Sequence, residues 1–224
     1  MIRCVLAVAL CSAAFATWPA LAEEPVPINE EPQHKLKFDN AHVRFFHVRL
    51  PPGYRSVMHV HQYDGVFVNI SPSATEAEDW GKAPVQRPGR APGETYFIGY
   101  GTRPKAHRIS NIGDTVYHVT DTEILTGCGG GPLADNAKAG PVVTDNPRVR
   151  VTRVELEPGA STTLYGPCGM LVAVTRALVT LEAPGGTDRI ALDPADFRWR
   201  DSRQPLTLTN VGQTPMLAID ILVK

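Results

Sequence analysis

The sequence predicts an all-β protein of two tandem units, and three observations carry that prediction. Short runs rich in Val, Ile, Phe, Tyr and Thr recur at 43–50, 66–70, 115–125, 149–156, 171–181 and 216–223, with Pro-Gly, Asn-x-Gly and Gly-Gly turns between them. No window keeps a 3.6-residue apolar period over four turns, so long amphipathic helices are not expected. The chain also repeats itself. DNAHVRFFHVRLPPG, from Asp39, aligns without a gap on DNPRVRVTRVELEPG, from Asp145, at an offset of 106. SNIGDTVYHVTDTEIL, from Ser110, echoes TNVGQTPMLAIDILVK, from Thr209, at an offset of 99. Unequal offsets mean that a loop differs in length between the copies.

The elements follow in chain order. Residues 1–22 combine an early cation at Arg3, a short apolar run and the ending Ala20-Leu21-Ala22, the pattern of a secretory signal cleaved after Ala22. The apolar run is too short to span a bilayer core of roughly 30 Å. The expected location is therefore the periplasm or the outside of the cell. Residues 34–126 form the first unit, 127–142 a linker and 143–224 the second unit, each of ordinary domain size. The Pro, Ala and Gly-rich segment 71–93 reads as a loop inside the first unit. A formal net charge of −1 gives no electrostatic case for nucleic acid or acidic membranes. Signal cleavage leaves Cys128 and Cys168, and an oxidising compartment favours one disulfide between them.

The chemistry concentrates in PPGYRSVMHVHQYDGVF, from Pro51. On a strand, His59 and His61 point to the same face with Val60 opposite, so two imidazoles can share one ion. A third ligand must come from elsewhere. His107, in PKAHRISN just before the turn at Asn111-Ile112-Gly113-Asp114, is the candidate, because a returning strand would bring it across the sheet.

These motifs resemble those of the cupin superfamily, small antiparallel β-barrels of jelly-roll type. Gly53, five residues and His59-Val60-His61 match the start of the family's first motif, and His107 with Asn111 matches the end of its second. The resemblance covers both halves and implies a bicupin whose first barrel binds one divalent metal on His59, His61 and His107. The glutamate position of the motif falls on Gly65 or Val66, neither of which can ligate. Asp64 is the candidate fourth ligand, one residue early and on the wrong face unless a bulge re-aims it. Pro104 stands where the family prefers glycine. Among cupins the chain is most similar to small bacterial proteins associated with β-alanine catabolism. Nitrogen ligation suits Zn, Ni, Cu or Fe better than Ca or Mg.

In the second copy Tyr165, Pro167 and Leu206 stand at the three ligand positions, so that copy is expected to hold no metal. His34, His42, His47 and His118 read as surface or satisfied strand residues, and His118 as close to His107. Tyr63, Tyr96, Tyr100 and Tyr117 read as wall aromatics, Trp80 as a loop anchor, and Arg55 and Arg103 as solvated. The function expected is metal-dependent small-molecule chemistry, an oxygenase or a related enzyme, with a non-catalytic ligand-binding or interaction module as the alternative. The partner expected is a small molecule, with neither nucleic acid nor membrane, and a homodimer is compatible with the sequence.

Overall fold

Val43–Leu50 shows how the sequence makes its sheets. Alternate side chains of a strand face opposite ways. Val43 and Phe45 enter one apolar cluster, while Val48 and Leu50 enter another. A strand apolar on both faces must be covered on both. The computed structural model describes residues 24–129, 139–201 and 204–224, so the signal segment 1–22 and residues 130–138 of the linker lie outside the described residues.

The first unit contains β1 (Val26–Pro27), a 3-10 turn (Ile28–Glu30), β2 (His34–Asp39), β3 (Val43–Leu50), β4 (His59–His61), β5 (Asp64–Ser71), β6 (Thr75–Asp79), β7 (Val85–Arg87), β8 (Thr95–Ile98), β9 (Lys105–Asn111) and β10 (Tyr117–Ile124). They form two sheets, ordered β1-β4-β9-β6-β7 and β2-β3-β10-β5-β8. The second unit contains β11 (Val142–Asp145), β12 (Val149–Leu156), β13 (Ser161–Leu164), β14 (Gly169–Ala173), β15 (Ala177–Ala183), β16 (Gly186–Leu192), β17 (Phe197–Arg200), β18 (Leu206–Asn210) and β19 (Met216–Val223). Its sheets are ordered β11-β12-β19-β14-β17 and β13-β18-β15-β16.

The internal repeat survives at the level of single hydrogen bonds. Asn111 donates to the carbonyls of Leu50 and Thr115, and its Oδ1 accepts from the Gly113 amide. Asn210 donates to Leu156 and Thr214, and accepts from Gly212. Gly53 and Gly159 both take positive φ, at 76° and 81°, where a side chain would be strained. Asn40 caps the start of β3 as Asn146 caps β12.

The two units pack sheet against sheet. Val43, Phe45, Val66, Val68 and Ile124 of the first meet Val151, Met170, Val172, Ile219 and Ile221 of the second in one buried cluster. Cys128 and Cys168 are bonded across this contact, with Cα atoms 6.0 Å apart, inside the usual disulfide range. His47 Nε2 lies 3.0 Å from the Ala195 carbonyl, also across it.

Several expectations are corrected. Residues 171–181 are two strands in different sheets, because the chain turns at 174–176. Segment 71–93 is not only loop: its alternating buried residues Thr75 and Ala77 lie on β6, which pairs with β7. The first unit begins before residue 34, since Val26 pairs with His59. The linker ends before 142, where β11 begins.

Candidate metal centre

The site begins with the cross-strand register. β4 and β9 run antiparallel with His59 opposite His107 and His61 opposite Lys105. Directly opposed side chains on an antiparallel pair lie close together. The ring centroids of His59 and His61 are 4.8 and 4.9 Å from that of His107, and His61 Nε2 is 3.1 Å from His107 Nε2.

A fourth imidazole arrives from the opposite sheet. The leading segment pairs with β4 through β1, makes its 3-10 turn, crosses the barrel end and enters β2 at His34. His34 is opposite Val48, an interior position, and its ring centroid is 4.5 Å from that of His59. His34, His59 and His61 are buried, and each offers a ligand nitrogen within 4.8 Å of the others'. Of the two readings expected for His34, surface or satisfied strand residue, the structure gives the second, buried and bonded to Glu31, but places its ring beside the other imidazoles. Its segment precedes the repeated text and carries no family motif, so only the fold could place it.

Hydrogen bonds set which nitrogens are bare. His59 Nδ1 lies 2.9 Å from the Val57 carbonyl, which can only accept, so Nδ1 carries the proton. Nε2 is then a buried lone pair with no partner among the described residues. His34 Nδ1 lies 2.6 Å from Glu31 Oε2, which leaves its Nε2 toward the other rings. Burial would raise Glu31, but the bonds from His34 and the Gln33 amide hold it below the ordinary carboxylate range. A carboxylate behind an imidazole fixes the tautomer and raises ligand basicity.

His61 has an acid near its other nitrogen, beyond hydrogen-bond distance. Asp121 Oδ2 lies 3.6 Å from His61 Nδ1, and the Tyr100 ring stacks on His61 at 4.8 Å. Asp121 is fully buried, and burial with Glu123 nearby pushes its carboxyl well up. Burial drives His59 down to about 4, and burial with the neighbouring histidines drives His61 and His107 well down. All three rings are neutral at neutral pH, the state in which imidazole ligates.

Gly65 resolves the missing acid of the first motif. A Cβ there would lie 3.1 Å from Asp121 Oδ1 and 3.0 Å from the Phe67 ring. The space that a side chain at 65 would need is filled by an acid from β10. Asp64 is elsewhere: its carboxylate accepts from the Gly101 amide at 2.9 Å and pairs with Arg148 of the second unit at 3.0 Å. Alternation turned it away, and no bulge brought it back.

A cavity of about 390 Å³ opens beside the rings, bounded by His34, His61 and His107 at one end. Tyr96, Tyr100 and Tyr117 line it, whereas Tyr63 is exposed at another face beneath Arg44. Trp80 is 43% exposed beside a separate, open groove. Arg55 is exposed, as expected, and pairs with Glu78. His118 is buried on the outer face of β10, its ring edge-on to His47 at 5.4 Å and away from the site.

Residues 143–224 contain no histidine. Leu164, Leu181, Leu208 and Met216 fill an apolar interior against which Leu206 packs, and Tyr165 is 40% exposed.

Comparison with protein-family models and with curated proteins found no match. Solved structures do match. AerE from Microcystis aeruginosa superposes with a TM-score of 0.60 at 14% identity, over 87% of this chain and 98% of that one. Salicylate 1,2-dioxygenase from Pseudoaminobacter salicylatoxidans, in complex with gentisate, gives 0.57 at 12% identity, over 88% and 76%. Oxalate decarboxylase from Bacillus subtilis, described with Mn(II) centres, gives 0.56 at 10% identity, over 92% and 78%. At these identities the likeness speaks for architecture alone. Two antiparallel barrels, with the same strand order in each apart from the added β1 of the first, make this chain a protein of the cupin fold in the bicupin arrangement.

Proposed function

We propose that the first barrel holds one divalent transition metal on His59, His61, His107 and His34, and that the protein is an exported enzyme transforming a small organic molecule in the adjoining cavity. The observation that carries this reading is the bare, buried Nε2 of His59 among three further rings. A buried polar atom without a partner costs about 1–3 kcal/mol, and an ion would relieve that cost. Four nitrogens suit Fe, Zn, Ni or Cu. Such an ion, when bound, supplies Lewis acidity or an oxygen-binding centre. The leading reaction class is dioxygenase-like, supported by the architectural kinship with a dioxygenase and a decarboxylase. The chain's own part is to orient His34 and His59 through Glu31 and Val57, and to wall the ligand from water with Tyr96, Tyr100 and Tyr117.

The test is elemental analysis of the full chain purified from an exporting host, beside His34→Ala, His59→Ala and His107→Ala. Stoichiometric metal in the parent, lost in the variants, supports the site. A metal-free parent that cannot be reconstituted sinks it. Oxygen uptake with thiol or diketone probes then separates an oxygenase from a binding module.

A further inference from the structure

The cavity lining contains three cations, Arg87, Arg90 and Lys105, and no aspartate or glutamate. Two of the three are already spoken for. Lys105 pairs with Asp79 at 2.6 Å, and Arg90 with Glu94. Arg87 makes no ion pair among the described residues. It is opposite Thr75 on the β6–β7 pair, and Thr75 is buried in the same cavity wall, so the shared face sets Arg87 over the chamber. Arg87 is itself exposed on the edge strand β7, so it stands at the solvent side of this acid-free wall, where a guanidinium can grip a planar oxyanion with two parallel hydrogen bonds.

The rest of the wall specifies what carries that anion. Phe67 and Tyr96 stack 4.8 Å apart and within 10° of parallel, and Tyr100 and Tyr117 extend the aromatic side. Val48 and Val119 make the wall apolar beyond them. A volume of about 390 Å³ suits one compact ring, and falls in the range of small-molecule pockets.

We infer that the first barrel binds a small aromatic carboxylate, its ring against the tyrosine wall and its carboxylate on Arg87, with the reacting end toward the four histidines. This rests on the proposed reading of the same cavity as a reaction chamber, but the anion site stands on its own residues.

The experiment is calorimetric titration of the full chain, metal-reconstituted and chelator-treated, with benzoate, its neutral isostere benzamide, and inorganic phosphate. Benzoate is expected to bind saturably, and benzamide and phosphate at least tenfold more weakly. Arg87→Gln should weaken benzoate roughly tenfold or more, as for loss of a charge-assisted hydrogen bond, with metal content and urea midpoint unchanged. Arg90→Gln, whose guanidinium already has Glu94, should have the smaller effect. No benzoate binding, equal binding of benzamide, preference for phosphate, or an unchanged affinity in Arg87→Gln overturns the inference. Arg87-dependent benzoate binding to a protein that takes no metal overturns the metal reading alone. Stoichiometric metal without benzoate discrimination overturns this inference alone.

Discussion

Asp121 and Asp220 are the same residue of the repeat, 99 positions apart, and the two barrels have given it different company. In the first, Asp121 is opposite Phe67 on β5 and lies 3.6 Å from His61 Nδ1. In the second, Asp220 is opposite Leu171 on β14 and is paired with Arg200, both buried. Arg200 faces Gly169 on β17 as Ile98 faces Gly65 on β8, so a cation has taken an apolar position of the other barrel. The second barrel lost its histidines and kept its acid, now neutralised by a guanidinium.

Arg200 is therefore predicted to matter for stability, because it is the ion-pair partner of a buried acid. Arg200→Leu strands Asp220 in an apolar interior and should cost about 3–5 kcal/mol in urea unfolding. Arg200→Leu combined with Asp220→Leu should recover most of that loss, since a well-packed apolar pair replaces a buried ion pair at little cost. A double variant as unstable as the single would contradict this account.

Gly65→Ala tests the packing behind His61. The added methyl meets the Phe67 ring and Asp121 Oδ1 at 3.0 and 3.1 Å. Overpacking of this kind costs roughly 1–3 kcal/mol. Because the displaced group lies beside His61, metal affinity should fall along with stability. Gly212→Ala, at a turn in the second barrel, should leave metal binding untouched.

The Cys128–Cys168 bond closes a segment of 40 residues and clips the end of the first unit to the second. Its removal by Cys128→Ser with Cys168→Ser should lower unfolding free energy by about 2–4 kcal/mol. Thiol labelling of the parent should fail until a reductant is added. Rapid labelling of the native, unreduced chain would rule the bond out.

Two buried groups give pH dependences of opposite sign. Burial, with Arg49 and His47 nearby, drives His118 from its ordinary 6.5 down to about 3. Between those values the unfolded chain takes up a proton that the native chain refuses, so this contribution is present above 6.5 and lost as pH falls. Burial, outweighing Arg44, pushes Glu123 from 4.5 up to about 7. Here the native chain keeps a proton that the unfolded chain releases, so stability is lost as pH rises through that window. Urea midpoints from pH 4 to 7 should lose the acid-side slope in His118→Gln and the neutral-side slope in Glu123→Gln. Parallel curves for both variants and the parent would refute the assignment.

Local pattern alone determined the strands at 43–50, 149–156 and 216–223, the tandem repeat, and the pairing of His59 with His61, because alternation and turn residues act within a few positions. It also marked His107, since a returning strand follows from a turn. What lies across the barrel was beyond it. His34, Glu31 and Asp121 reach the site only because two sheets face each other, and no spacing in the chain encodes which rungs of facing sheets meet. Asp64 failed for the complementary reason, since alternation aimed it at Arg148 of the other barrel. The meeting of the four rings with Glu31 and Asp121 was decided by tertiary packing, which converts residues far apart in the text into neighbours a few ångströms apart.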